Sequence, residues 1–497
     1  MKKFILGLCI LCISAAAKAQ GGYDIKINLE GCTDTTLYLV KYTFDQQFMA
    51  DTCKKVKNGH IEFKGNNPLD KGMYALVSPA MSKYFDFFVN ESEKFTLTAV
   101  YSDMANTMKS PDSRENELMF SYAKFMTAKE QEYKKLADQK EKQKAISNEV
   151  KKFTENFAEK NKGTFVYDFL NLRVEKFAKD VPKASNGRPD SLYQYYYYKS
   201  HYLDGINFKD NRIVHTPFFA DRIKKYISEV IVQSPDTVIH EADKLLTACD
   251  EGNQVYNALL GYFTYTFEQK KTMSFDRAGK AITFEKVFVH LADHYITNGH
   301  ADGIYSKETI AKIKERADIT RNLLPEATVS ELFMIDTVYG RQVLKMGFDT
   351  ASSNKSVTDL YYKNIEKLTP MLKTLYQVNA KYTILVFWAI DCDHCKTEIP
   401  KLNDALKELK GKVDVKVFAV QTKDDQFEEW KKFIVNNKLN FINVFDPVHL
   451  NNTKERFDIT STPMIYLLDK EKRIKGKRLN AEQTIEIIKN LETIEKL

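Results

Sequence analysis

The chain has 497 residues, 43% of them apolar and 28% charged, with a formal net charge of +7. At ~150 residues per domain that length calls for about three domains, because one hydrophobic core does not hold such a chain. Lysines are interleaved with acids throughout, which is a solvated surface and not the concentrated basic face of a nucleic-acid binder.

The chain opens with Met1-Lys-Lys, an apolar run from Phe4 to Ile13, and Ala17-Lys-Ala19. These are the charged, apolar and small-residue regions of a secretory signal peptide, residues 1–19, with cleavage after Ala19. Cys9 and Cys12 each follow a leucine, so no lipobox is present. The segment carries Lys2, Lys3 and Lys18, and its removal leaves 7 − 3 = +4. No later stretch approaches ~20 consecutive apolar residues, so a soluble protein of the periplasm is expected. Cys32, Cys53, Cys249, Cys392 and Cys395 remain, an odd set that leaves at least one thiol unpaired within the chain. A Cys32–Cys53 bridge stays open, and Cys249 reads as a small buried helix residue.

From Tyr23 to Val100 short alternating segments (Ile25, Ile27, Leu29; Phe95, Leu97, Ala99) are punctuated by Gly31-Cys-Thr-Asp, Asn58-Gly59 and Lys64-Gly-Asn-Asn-Pro68. The pattern predicts an antiparallel β domain over residues 20–104. Residues 105–320 change to a helical period: Leu118, Tyr122, Phe125 and Met126, then Ile146, Val150, Phe153 and Phe157, mark amphipathic helices, with a further helix over Phe165 to Phe177. Lys129 to Lys144 reads as a solvated helical face. Tyr193 and Tyr195 to Tyr198 are expected mostly to pack between helices, since successive tyrosines cannot share one face. His290 and His294 could share a helix face, but no third ligand is evident and no metal site is expected.

Residues 321–497 alternate strand and helix and end in a hairpin and helix, the order of an α/β domain. A hairpin is expected over Ser330 to Lys345 and an insertion at about 347–376, with Val357 to Tyr376 helical. The overall expectation is a multidomain chain: antiparallel β, then all-α, then α/β.

Within that last domain Ile384 to Trp388 is an uninterrupted apolar run, as in a strand buried on both faces. Cys392 and Cys395 follow on the turn into a helix. No second pair completes four ligands, so the spacing reads as a redox pair. A helix N-terminus offers unsatisfied N–H groups and partial positive charge, which favour a Cys392 thiolate; Cys395, one turn on, is the sheltered resolving thiol. A protonated His394 would assist the thiolate, whereas Asp391 and Asp393 would oppose it.

Phe-Trp-Ala-x-x-Cys-x-x-Cys-Lys-x-Glu-x-Pro, together with Ser461-Thr-Pro-Met-Ile-Tyr-Leu-Leu-Asp469, resembles the periplasmic thioredoxin-like proteins of the TlpA/ResA type. The resemblance covers the last quarter of the chain and implies a thioredoxin fold. It implies that Pro463 is cis and faces the cysteine pair, that Thr462, Pro463 and Trp388 meet the substrate, and that Glu398 manages the proton of the buried thiol. The sequence departs from the pattern at Asp391, where many relatives have an aromatic, and at Asp393-His394 between the cysteines. Asp51-Thr and Asn58-Gly-x-Ile-x-Phe63 are similar to β modules preceding Bacteroidetes envelope thioredoxins. Thr216-Pro-Phe-Phe and Gln233-Ser-Pro-Asp236 are similar to a helical domain that accompanies them, of no implied function.

The function expected is that of a thiol:disulfide oxidoreductase working without a bound cofactor. Its partners would be exported proteins carrying thiols or disulfides, and a membrane redox partner that resets it. A peroxidase of the peroxiredoxin type would need Pro and Thr just upstream of its cysteine, and Ala389-Ile-Asp391 supplies neither. The alternatives are a copper or zinc carrier using Cys392, His394 and Cys395 as soft ligands, or a non-catalytic envelope binding protein with an inert disulfide.

Overall fold

The computed structural model describes residues 22–136, 138–276, 279–351 and 353–496. The expected signal segment, with Ala19, Cys9 and Cys12, lies outside them. The chain divides into two compact units: one runs to Gln233 and adds Thr237–Tyr262 and Ala301–Ile304, and the other comprises Ser234–Asp236, Phe263–His300 and Tyr305–Leu497.

The first unit begins with seven strands: β1 (Asp24–Glu30), β2 (Leu37–Thr43), β3 (Gln46–Cys53), β4 (His60–Lys64), β5 (Gly72–Val77), β6 (Lys83–Val89) and β7 (Lys94–Val100). They form two sheets, ordered β4-β1-β7 and β3-β2-β5-β6. All neighbours run antiparallel except β1 and β7, which are parallel. Alternation explains the layering: Ile25, Ile27 and Leu29 turn inward onto Phe63, Phe87 and Leu97, while their polar neighbours face out. Asn58 and Gly59 turn the chain into β4 with φ of 49° and 74°. A Cβ on Gly59 would stand 2.0 Å from the Leu29 carbonyl oxygen, so only glycine fits.

Helices follow: α1 (Met104–Thr107), α2 (Arg114–Lys135), α3 (Lys140–Lys160), α4 (Phe165–Asn171), α5 (Ser191–His201), α6 (Pro217–Lys225), α7 (Pro235–Thr247) and α8 (Gln254–Gln269). Tyr122, Ala158, Phe165 and Phe169 cover the second face of the four-stranded sheet through Val40, Met73 and Phe88. The Asn116 side chain straps α2 to β6, accepting from the Phe88 N–H at 2.7 Å and donating to its carbonyl at 2.9 Å. α4 ends earlier than its apolar pattern suggests, and the Val174 carbonyl beyond it is bound by the Arg222 guanidinium, 2.7 Å, in place of a helical N–H. The packing role expected for the α5 tyrosines is met only in part: none is fully buried, and Tyr196 is 62% exposed. Tyr193 stacks on Tyr197 and Tyr197 on His201, while the half-buried Tyr198 stacks on Phe177 and its hydroxyl donates to the Glu175 carboxylate at 2.8 Å.

The second unit holds a small hairpin, β8 (Met273–Phe275) with β9 (Ala281–Thr283), and two helices, α9 (Glu285–Leu291) and α10 (Lys307–Arg321). Its main body continues as β10 (Phe333–Asp336), α11 (Gly340–Val343), α12 (Asn354–Leu368), β11 (Leu372–Thr374), β12 (Tyr382–Trp388), α13 (Asp393–Ala405), β13 (Val415–Gln421), α14 (Phe427–Asn436), β14 (Ile442–Phe445), α15 (Thr453–Arg456), β15 (Met464–Leu468), β16 (Ile474–Lys477) and α16 (Ala481–Ile494). The seven-stranded sheet is ordered β11-β10-β14-β13-β12-β15-β16. β14, β13 and β12 are parallel neighbours, and the remaining pairs are antiparallel.

β12 is central, and all seven of its residues are buried. Tyr382, Ile384, Val386 and Trp388 fill one core, Leu385 and Phe387 the other. At ~1.5–3 kcal/mol for each large apolar side chain removed from water, this strand anchors the domain. Lys477 of β16 and Glu285 of α9 form an ion pair with both side chains almost fully buried, which ties α9 to the edge of this sheet.

The hairpin expected within Ser330 to Lys345 does not form. The Asp336 carboxylate accepts the N–H groups of Val338 and Tyr339, at 2.9 and 3.0 Å, and ends the strand in a turn. α11 follows, and β10 finds its antiparallel partner in β11, after α12. Thus α12 spans Asn354–Leu368 and stops short of Tyr376; Ser353 caps it with a reciprocal bond to Ser356. Among the described residues no helix is long and apolar enough to cross a membrane.

Candidate active site at the head of a helix

β12 delivers the chain, still buried at Ala389 and Ile390, to a turn that exposes Asp391 and half-exposes Cys392. Cys392 is the N-cap of α13: its backbone is extended, and its sulfur accepts the Cys395 N–H at 3.2 Å. The Cys392 thiol in turn donates to the Thr462 carbonyl oxygen at 3.3 Å. The Thr462–Pro463 peptide bond is cis and immediately precedes β15, which lies beside β12 in the sheet. The structure thus brings Cys392, Cys395, Thr462 and Pro463 together from two segments about seventy residues apart.

The two sulfurs differ in acidity. Burial pushes the Cys392 thiol up, but hydrogen bonds from the Cys395 thiol, from the Thr462 side chain and from the N–H groups of Cys395 and His394 outweigh it and hold the group below its ordinary value. Cys395 is fully buried, and burial, followed by its hydrogen bond to Cys392, pushes its thiol up to about 12. The arrangement is that of an accessible nucleophile with a sheltered second thiol behind it. All five described cysteines are free, Cys32 and Cys53 among them. Cys249 is buried, and its thiol donates to the Leu245 carbonyl at 3.3 Å.

The remaining site residues fall in three positions. Asp391 and Asp393 are exposed and ion-paired, with Lys423 at 3.5 Å and with Lys396 at 3.3 Å; His394, between the cysteines, is exposed as well. Glu398 is buried one turn beyond Cys395, and its carboxylate accepts the first N–H of α16, from Ala481, at 2.6 Å. No hydrogen bond joins it to either sulfur among the described residues. Trp388, expected to meet the substrate, is 0% exposed and its ring packs 5.7 Å from that of Phe433, so it supports the turn from behind. Two partners escape sequence reading, Lys423 and the Ala481 N–H, because nothing in the spacing announces a contact across 32 or 83 residues.

A redox-spaced cysteine pair at the start of a helix, on a parallel-centred sheet with a cis-proline segment beside it, defines a thioredoxin-like thiol:disulfide oxidoreductase. Residues 364–477 match the AhpC/TSA family, residues 134–319 a domain of unknown function, DUF5106, and residues 23–119 another, DUF4369. The AhpC/TSA match is confined to the C-terminal domain, the part of the chain that carries the cysteine pair. Among solved structures it is similar to a domain of a "possible thiol-disulfide isomerase" from Cytophaga hutchinsonii, at 32% identity over 35% of this chain and 96% of that one, with a TM-score of 0.26. It is similar to a thioredoxin-like protein from Bacteroides caccae, at 14% identity over 64% of this chain and 99% of that one, TM-score 0.41. A thiol:disulfide interchange protein from a Bacteroides species matches at 22% identity over 33% and 86%, TM-score 0.23. No curated protein matches the chain.

Proposed function

We propose that the protein is a thiol:disulfide oxidoreductase of the cell envelope that acts on other exported proteins through the Cys392–Cys395 dithiol. The observation that carries this reading is the Cys392 sulfur itself, half-exposed at the head of α13 and held below the ordinary thiol pKa.

In the reducing direction the Cys392 thiolate attacks one sulfur of a substrate disulfide. The substrate S–S bond breaks, a mixed disulfide forms, and the departing substrate thiolate takes up a proton. Cys395 then loses its proton and attacks the Cys392 sulfur, which releases the second substrate thiol and leaves the Cys392–Cys395 disulfide. Two electrons pass to the substrate, and a membrane redox partner returns them. The oxidising direction runs through the same intermediate. Because burial keeps Cys395 protonated at neutral pH, its attack needs a base, and Glu398, one turn along the same helix, fills that role while it binds Ala481. Thr462 and Pro463 hold the substrate chain beside Cys392. Among the described residues no three His, Cys, Asp or Glu side chains gather as a metal-holding group.

The test is the mature protein with Cys395→Ser, expressed in a cell envelope. Stable mixed disulfides through Cys392 with exported proteins are expected; their complete lack, alongside stoichiometric copper or zinc on the wild type, overturns the reading.

A further inference from the structure

A cavity of about 970 Å³ opens at the end of β13. β13 and β15 flank β12 on opposite sides, so this cavity lies across the dithiol strand from Thr462 and Pro463. Gln421 is the register partner of Trp388, the Thr422 N–H donates to the Trp388 carbonyl at 2.8 Å, and Lys423 pairs with Asp391. The cavity is therefore built onto the turn that carries Cys392. Its far wall is the inserted helix α12, through Val357, Tyr361 and Tyr362, and His449 stands on the loop after β14.

Gln421 lines this cavity, is 2% exposed, and has no hydrogen-bond partner for either its amide nitrogen or its amide oxygen among the described residues. A buried carboxamide without partners is destabilising, and such a group in a native fold calls for something that completes it. Its donor and acceptor sit side by side, so its complement is another amide. The protein makes that pairing twice elsewhere. Asn116 reads both the N–H and the carbonyl of Phe88, and Asn451 reads both on Phe333, at 2.8 and 2.7 Å. The walls suit a polypeptide: Val357 and two tyrosines offer flat amphipathic area, and Tyr362, 67% exposed, stands at the rim. His449 is already hydrogen-bonded to Asp424 at 2.7 Å, and the acidic and basic side chains mixed around it match neither a phosphate nor a nucleotide.

We infer that this cleft binds an extended polypeptide segment, the stretch of a substrate protein flanking its reactive cysteine on the side away from Pro463, with Gln421 pairing to one main-chain amide. This rests on the oxidoreductase reading for its biological sense, but the binding is measurable without it.

The experiment uses the full mature chain and a ten-residue extended peptide carrying one cysteine, prepared as its symmetric disulfide and as the Ser-for-Cys version. The chain has two tryptophans, Trp388 and Trp430, both in the core cluster that includes Val357 of the cleft wall, so their fluorescence reports binding of the Ser peptide. Saturable binding to the wild type is expected. Gln421→Leu, which buries a side chain of similar size, should weaken it about tenfold, and Tyr362→Ser, on the exposed rim, about threefold. The same ratios should appear in kcat/KM for the peptide disulfide, while 5,5′-dithiobis(2-nitrobenzoate), too small to reach the cleft, reacts at an unchanged rate. A Ser peptide that fails to bind the wild type, or binds both variants as tightly, overturns the inference. Binding that Gln421→Leu weakens, in a protein that reduces neither disulfide, supports the cleft and removes the redox reading alone.

Discussion

The N-terminal β module and the C-terminal sheet both contain a cysteine close to a strand end, and the two thiols are driven in opposite directions. Cys32 follows β1, is 8% exposed and belongs to the module's core; burial there raises its pKa, and the Asp34 N–H only partly offsets it. Cys392 follows β12, whose burial on both faces is more complete, yet it emerges half-exposed at a helix N-terminus that lowers its pKa. The difference teaches that a buried strand delivers an accessible, acidified thiol where the chain leaves the core into a helix start. In the β module the chain leaves into a turn, and the thiol stays part of the packing.

The most severe test of this contrast is removal of each sulfur. Cys392→Ser should reduce disulfide exchange on insulin by at least about 10³-fold, while Cys32→Ser and Cys249→Ser stay within about twofold. A large loss in either of the latter breaks the comparison. Next come the cores. Trp388→Ala and Phe87→Ala, each emptying a fully buried aromatic position, should both cost about 3–5 kcal/mol in urea unfolding, but only Trp388→Ala should slow exchange per folded molecule. Glu398→Gln separates anchoring from proton transfer, because the amide oxygen still accepts the Ala481 N–H while the base is gone. Stability should hold, and resolution of the mixed disulfide should slow about 10²-fold, in quenched-flow measurement. The smallest effect belongs to the exposed acids: Asp391→Asn and Asp393→Asn, each removing a charge already paired with lysine, should lower the Cys392 midpoint by no more than a few tenths of a pH unit.

Much of this was legible in the sequence where one residue pattern maps onto one environment. The run Ile384 to Trp388 can only be a buried strand, the cysteine spacing places both sulfurs on a first helical turn, and the alternation of Ile25, Ile27 and Leu29 names its buried face. Illegible were choices made by a single distant or local hydrogen bond. Asp336 diverts the expected hairpin into α11 through two N–H groups, and Glu398 spends its carboxylate on α16. The tyrosines of α5 show a further limit, since helical spacing says which residues share a face but not whether anything covers it.

The central claim is that the setting of Cys392 makes it acidic, and its pH-dependent alkylation in the reduced protein measures this directly. Because the folded-state pKa lies below the unfolded one, the folded protein binds fewer protons between the two values, so the stability of the reduced form also rises with pH across that window. With iodoacetamide, Cys392 should be modified first, with a midpoint below the free-thiol value of about 8.5, and Cys395 should remain unmodified throughout the neutral range. A Cys392 midpoint at or above that value, or modification of Cys395 ahead of it, would contradict the account.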